Sequence, residues 1–108
     1  MSKESIFLIK PDEKSEQIAQ EAVEIAVSLG LVVNLMLRKI LTEEEAVALY
    51  KPYENEHWFS GFLAYLTSGE IQVFLTEGEE VIENTLEVKR KVREKYAKDK
   101  QKNAIHSP

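Results

Sequence analysis

The hydrophobic pattern changes its period several times along this chain, and that alternation limits the possible folds more than any other sequence feature. Residues 5–9 and 71–76 are continuous apolar runs of strand length, and residues 31–41 alternate as a half-buried strand does. Amphipathic helical spacing begins near Ser15, Thr42, Trp58 and Glu79. With a last short strand at 103–106, this order predicts an α+β sandwich of four mostly antiparallel strands with helices packed on one face.

Local signals at the ends of these segments support that order. Gly30 is placed to end the first helix in a left-handed conformation, and Thr42 with Glu45 forms a capping box for the second. The first strand stops at Lys10-Pro11 and is expected to be central in the sheet because it is apolar on both faces. At 108 residues, with no linker and no repeat, the chain is expected to form a single domain over 1–108.

Composition excludes several classes of protein. The absence of Cys rules out disulfides, thiolate metal sites and a cysteine nucleophile, and two His residues are too few for a His-rich metal site. No segment approaches the roughly 20 apolar residues of a membrane span, and the N-terminal apolar stretch is too short for a signal peptide, so we expect a cytoplasmic protein without a membrane partner. Glycine-rich phosphate-binding motifs are also absent.

Positive charge is concentrated near the C-terminus. Residues 89–102 contain eight of the 14 Lys and Arg residues but two of the 19 Asp and Glu residues. Such a run is usually a solvated helix face, and it can also be a patch for phosphate groups; composition leaves both interpretations open. We do not expect nucleic acid as a partner, because the rest of the chain is strongly acidic and would repel a polyanion.

Five motifs, in order and in register, resemble those of the nucleoside diphosphate kinase family. Residues 7–12 resemble its first strand and Lys-Pro-Asp turn, and residues 102–107 resemble the Asn-x-x-His-Gly-Ser motif of its active-site histidine. Between them, Tyr50, residues 58–65 and Ser68-Gly69 are similar to the family's Tyr, its Pro-Phe-Phe-x-Gly-Leu helix and its Met-x-Ser-Gly stop. The resemblance covers nearly the whole chain and implies the family's ferredoxin-like α+β fold.

The resemblance also implies an activity. His106 would accept the γ-phosphoryl group of a nucleoside triphosphate and pass it to a diphosphate through a phosphohistidine, with Lys10 stabilising charge on the transferring oxygens. Tyr50 would hydrogen-bond near that phosphate, Asn103 would contact the sugar end, and Trp58 would stack on the base. Mg²⁺ would be held by the nucleotide phosphates rather than caged by protein, and the family's habit of assembly suggests a homo-oligomer.

The departures from the family pattern bear on activity. The position of a family helix arginine reads Leu86, most of a long loop with a second arginine is missing, and no Gly separates His106 from Ser107. Residues 92–103 resemble the Leu-Arg-x-x-Tyr-Gly-x-Asp-x-x-Arg-Asn segment of divergent members, which makes Arg93 the expected phosphate arginine. The family's C-terminal helix, with a carboxylate that supports the histidine, is also expected to be missing.

Two functions therefore remain open at the level of sequence. One is a short, divergent nucleoside diphosphate kinase. The alternative is a catalytically weak or inactive kinase-like module for nucleotide binding, regulation or protein interaction. His57 is expected to be structural, since an isolated histidine without a carboxylate or serine partner at a telling spacing is a weak sign of catalysis.

Overall fold

The structure, a computed structural model, describes residues 3–98 and 103–107 and follows the predicted order of strands and helices. The strands are β1 (Lys3–Ile9), β2 (Val32–Ile40), β3 (Glu70–Gly78) and β4 (Ile105–His106). The helices are α1 (Ser15–Ser28), α2 (Glu43–Leu49), α3 (Phe59–Leu66) and α4 (Val81–Tyr96), and a 3₁₀ turn over Lys51–Tyr53 follows α2. Each described helix is too short or too polar to span a bilayer.

The four strands form one sheet in the order β2-β3-β1-β4, and each neighbouring pair is antiparallel. β1 is central, as predicted, and pairs with β3 from Lys3 opposite Gly78 to Ile9 opposite Gln72. On its other side, Leu8 lies opposite His106 in β4. The end of β1 and the short β4 therefore bring the N-terminal and C-terminal motifs together.

Helices cover both faces of the sheet, so the prediction that they pack on one face is wrong. Phe7 and Ile9 of β1 belong to a buried cluster with residues of α1 and α4, whereas Leu8 belongs to a second cluster with residues of α2 and α3. Successive side chains of a strand point to opposite faces, so a strand that is apolar throughout needs cover on each face. The continuous apolar run of β1 is the sequence feature that indicates cover on both faces of the sheet.

Local geometry explains where two of the helices begin and end. Gly30, which follows the C-cap residue Leu29 of α1, has φ 85°, the left-handed conformation that glycine adopts without a steric penalty. At α2, the Thr42 hydroxyl accepts a hydrogen bond from the Glu45 backbone N–H at 3.1 Å, and the Glu45 carboxylate accepts one from the Thr42 N–H at 3.0 Å. Both features were predicted from the sequence.

The second strand differs from its prediction as a half-buried strand. The pairing of β2 with β3 slips by one residue between Leu35 and Leu37, which interrupts the alternation of faces. Leu35 is 47% exposed, Leu37 is 45% exposed and Met36 is 58% exposed. β2 is an edge strand, so its apolar side chains have a neighbouring strand on one side alone.

Candidate active site

The backbone at the junction of β1 and β4 positions the predicted site. The Lys10 N–H donates to the Ala104 carbonyl at 2.8 Å, and the Ile105 N–H donates to the Asn103 carbonyl two residues earlier, also at 2.8 Å. The second bond closes a three-residue turn centred on Ala104, which is buried and has φ 71°. A non-glycine residue in this region costs of order 1–3 kcal/mol, and such strain concentrates at functional sites.

All six predicted site residues line one cavity of about 350 Å³. They are Lys10, Tyr50, Trp58, Arg93, Asn103 and His106, joined by Tyr53 and Phe62. The structure therefore brings together side chains that are up to 96 positions apart along the chain, although their roles remain predictions. His57 is exposed and is not among the residues that line this cavity.

Lys10 is a buried cation at the inner end of the site. Its side chain is 2% exposed, and Nζ donates to Asn103 Oδ1 at 2.5 Å. Nζ also lies 5.1 Å from the centre of the Phe62 ring and 5.7 Å from that of Tyr50, within the range of cation–π attraction. Burying an ammonium is costly without such partners, and these contacts hold the charge next to His106.

One side of the cavity, which we call the aromatic wall, consists of Tyr50, Tyr53, Trp58 and Phe62. Tyr50 packs edge-on to Phe62, with ring centres 4.7 Å apart, and edge-on to His106 at 5.2 Å. The Tyr50 hydroxyl is buried and has no hydrogen-bond partner among residues 3–98 and 103–107. Burial raises the pKa of Tyr50, so the phenol remains a neutral donor.

Arg93 and His106 also line the cavity, and we call these two residues together with Lys89, which contacts the neighbouring main chain but is not among the lining residues, the cationic wall. Arg93 donates to the Ile105 carbonyl through Nη2 at 2.9 Å and through Nε at 3.2 Å. Lys89 Nζ lies 3.5 Å from the Ser107 carbonyl. These two cations of α4 therefore contact the main chain of the residues before and after the histidine.

The imidazole of His106 is held in its neutral form. Burial, together with the positive charges of Lys10, Arg93 and Lys89, lowers the pKa of His106 to about 4. Near neutral pH the ring therefore keeps a free lone pair, which a nucleophile requires. The geometry combines a neutral nitrogen nucleophile with fixed positive charge, an arrangement suited to an anionic electrophile such as a phosphoryl group.

Sequence reasoning did not single out three residues of these walls as parts of the site. Tyr53 and Phe62 line the cavity in the aromatic wall, and Lys89 belongs to the cationic wall through its contact with the Ser107 carbonyl. Helical spacing offered a signal for two of them, because Phe62 follows Trp58 by four residues and Lys89 precedes Arg93 by four.

Comparison with known proteins agrees with the sequence motifs. The family model described as "Nucleoside diphosphate kinase" matches residues 3–108 of the chain. The chain belongs to the nucleoside diphosphate kinase family. Its relatives include the nucleoside diphosphate kinase of Desulforapulum autotrophicum, 24% identical over 94% of this chain and 81% of that enzyme, and that of Thermobifida fusca, 28% identical over 94% and 83%. Other matches are partial: the Hyperthermus butylicus enzyme, 29% identical, is covered over 56% of its length.

Solved structures of nucleoside diphosphate kinases share the fold. The Aquifex aeolicus enzyme superposes with a TM-score of 0.79 at 22% identity, covering 99% of this chain and 85% of that one. The Halobacterium salinarum enzyme, solved in complex with CDP, gives a TM-score of 0.77 at 21% identity over 99% and 77%. The chain therefore has the ferredoxin-like α+β fold of the nucleoside diphosphate kinase family.

Proposed function

We propose that this chain is a phosphotransferase that moves the γ-phosphoryl group of a nucleoside triphosphate to a nucleoside diphosphate through a phosphohistidine at His106. The observation that carries the proposal is the cavity in which a neutral His106 imidazole lies among Lys10, Arg93 and Asn103. Membership of the nucleoside diphosphate kinase family supports a function of this kind.

The proposed reaction has two balanced halves. A ring nitrogen of His106 donates its lone pair to the γ-phosphorus, and the bond from that phosphorus to the bridging oxygen breaks, so that its electron pair leaves with the nucleoside diphosphate. A terminal phosphate oxygen of a second nucleoside diphosphate then attacks the same phosphorus, and the P–N bond breaks to return the imidazole. Each half exchanges one bond to phosphorus for another and needs no external acid or oxidant.

The surrounding side chains would stabilise the transferring group. Lys10 and Arg93 place positive charge next to the imidazole, where negative charge develops on the phosphoryl oxygens. The unpartnered Tyr50 hydroxyl lines the same cavity and is available as a donor. Among the residues that the structure describes, none of those that line the cavity carries a carboxylate, so we expect Mg²⁺ to enter with the triphosphate as part of the substrate.

The aromatic wall would hold the nucleoside end. Trp58 packs against Tyr53 with ring centres 5.9 Å apart and against Phe62 at 5.6 Å, which fixes the indole at the cavity. Stacking uses the flat face that all bases share, so the proposal implies broad tolerance of nucleobases.

The experiment that tests the proposal is incubation of the purified chain with γ-labelled ATP and Mg²⁺, followed by addition of GDP. We expect acid-labile label on the protein and its transfer to GDP. His106→Ala should carry no label, whereas His57→Ala, which removes the exposed histidine, should label like the wild type. Label that persists in His106→Ala would disprove the phosphohistidine mechanism.

One observation favours the alternative of a nucleotide-binding module without turnover. The guanidinium of Arg93 already donates two hydrogen bonds to Ile105, so fewer of its donors remain for phosphate. Under this alternative, calorimetry would detect binding of ATP to the wild type while the labelling experiment gives no phosphoprotein.

We also propose that the chain forms a homo-oligomer through the β2 edge. This edge strand carries exposed apolar side chains, namely Val32, Leu35, Met36, Leu37 and Ile40. An exposed, apolar edge strand readily pairs with another chain. Sedimentation should show an assembly larger than one chain, and Leu35→Lys should shift it towards the monomer; a monomeric wild type would contradict this proposal.

A further inference from the structure

The cations of α4 divide into two groups according to what they contact. Arg90 bridges the carboxylates of Glu87 and Glu94 on the exposed face of the helix. Lys95 pairs with Glu21 of α1 at 2.5 Å, and Lys91 lines a groove between α1 and α4. Lys89 and Arg93 instead contact main-chain carbonyls of the segment that carries the histidine.

Lys89 and Arg93 form a like-charge pair that receives no ionic compensation within the described part of the chain. They are four residues apart and lie on the same side of α4, where like charges repel. Neither forms an ion pair with a carboxylate among residues 3–98 and 103–107. Burial lowers the pKa of both, and the charge of Arg93 lowers that of Lys89 further. An anion bound between Lys89 and Arg93 would reduce both their mutual repulsion and the cost of burying their charges.

The position of Lys89 suits an anion on His106. Its ammonium lies next to residue 107, whereas Arg93 holds residue 105, so the two cations stand on either side of the histidine along β4. The 3.5 Å contact to the Ser107 carbonyl is long for a hydrogen bond and occupies at most one of the three donors of the ammonium. The remaining donors are available to a ligand.

We propose that Lys89 binds the phosphoryl group at His106, so that Lys89 and Arg93 together supply positive charge at a site where one expected arginine position reads Leu86. This inference rests on the proposed function and deepens it. Unlike Arg90, Lys91 and Lys95 on the same helix, Lys89 contacts the carbonyl of the residue that follows His106, and its charge acts on the imidazole.

The test compares Lys89→Met with Lys89→Arg and uses Lys91→Met as the matched control. Lys91 is on the same helix but lines the groove between α1 and α4. Calorimetry would measure the binding of ATP and of inorganic tripolyphosphate, and labelling would measure the phosphoprotein. Because Lys89→Met removes a charge-assisted hydrogen bond, it should weaken the binding of both probes about tenfold. Lys89→Arg and Lys91→Met should each weaken binding by less than about threefold.

The outcomes separate this inference from the proposed function. If Lys89→Met and Lys91→Met weaken the binding of the two probes equally, the effect comes from the general positive charge of the helix, and the proposed role of Lys89 is wrong. The role is also wrong if Lys89→Arg, which keeps the charge, weakens binding as much as Lys89→Met. If Lys89→Met binds tripolyphosphate like the wild type but is labelled more slowly, Lys89 acts only by positioning the main chain beside His106. That result would also overturn the proposed contact with the phosphoryl group. If the wild type binds tripolyphosphate through Lys89 but never becomes labelled, the inference stands and the proposed phosphotransfer fails.

Discussion

The two walls of the cavity are built by different kinds of interaction. The aromatic wall is an extension of the core, because Tyr50 and Phe62 belong to the buried cluster between α2, α3 and the sheet. The cationic wall depends on polar contacts from α4 to Ile105 of the two-residue strand β4 and to Ser107 directly after it. Apolar burial contributes to stability in proportion to area, whereas hydrogen bonds from buried cations contribute little net stability and fix geometry.

The stability of the fold and the chemistry at His106 should therefore depend on different residues. Changes in the aromatic wall should affect both folding and nucleoside binding. Changes to the charges around His106 should affect phosphate chemistry first, and stability only where a buried carbonyl loses its donor.

Lys10 lies between the walls and gives the largest expected separation. Lys10→Met removes a buried charge but keeps an apolar stem of similar length, so the free energy of unfolding should change by less than about 1.5 kcal/mol. Phosphoprotein formation should fall by about 10²–10³-fold, as expected for loss of a fixed charge at a developing anion. Labelling rates and thermal unfolding would be measured on the same samples. A large loss of stability with normal labelling would mean that Lys10 supports the fold rather than the phosphate chemistry.

Arg93→Ala should affect both properties, in contrast to Lys10→Met. The substitution leaves the buried Ile105 carbonyl without two donors, which costs about 1–3 kcal/mol of unfolding free energy, or roughly 10 °C in melting temperature. Arg90→Ala, which breaks exposed ion pairs on the same helix, should alter stability by less than about 1 kcal/mol. Equal melting temperatures for Arg93→Ala and the wild type would show that the bonds to Ile105 do not hold β4.

Most of the fold was predictable because its signals are local. The apolar run in β1, the capping box at Thr42 and the glycine after α1 each lie within a few residues of the structure that they determine. Which face of the sheet each helix covers depends on long-range packing. The slip in β2 depends on pairing with β3, which no pattern within β2 records.

The site was predictable in its membership and not in its contacts. The motif resemblance named six of the residues that line the cavity, and its phosphate role for Arg93 stays a prediction, but it gave no sign of the two hydrogen bonds from the Arg93 guanidinium to Ile105. The strained turn at Ala104 has no signal in the sequence, because alanine rarely adopts positive φ and tertiary contacts impose it here. For Lys89, helical spacing placed it on the side of Arg93, but its contact with the Ser107 carbonyl depends on the position of the chain after β4.

Trp58→Ala would separate the two walls by ligand. Loss of a stacking platform costs about 1–3 kcal/mol per base, so the Kd for ATP should rise by about tenfold or more. Inorganic tripolyphosphate has no base, and its Kd should stay within about twofold of the wild type if the phosphates do not contact Trp58. Calorimetry with both ligands checks this. Equal weakening of ATP and tripolyphosphate would mean that Trp58 supports the whole cavity rather than the base.

Tyr50→Phe tests a polar atom within the aromatic wall. The hydroxyl is buried without a partner in the described residues, so its removal should leave the melting temperature equal or slightly higher. If the hydroxyl donates to the phosphate, labelling should slow by about tenfold at an unchanged melting temperature. A variant that melts several degrees lower and labels normally would place the hydroxyl in the fold rather than the site.

The pH dependence should give the smallest effect near neutrality. His106 must be neutral to attack, and its pKa of about 4 means that labelling stays level as pH falls from neutrality to about 5, and is halved near pH 4. The unfolded chain binds this proton with a pKa of about 6.5, so the unfolded state takes up more protons between those values, and stability falls as pH drops through the window. His106→Gln should lose this part of the pH dependence of unfolding. A labelling midpoint near pH 6.5 in the wild type would show that neither burial nor the charges of Lys10, Arg93 and Lys89 lower the pKa of the imidazole. That result would contradict the placement of these cations around His106.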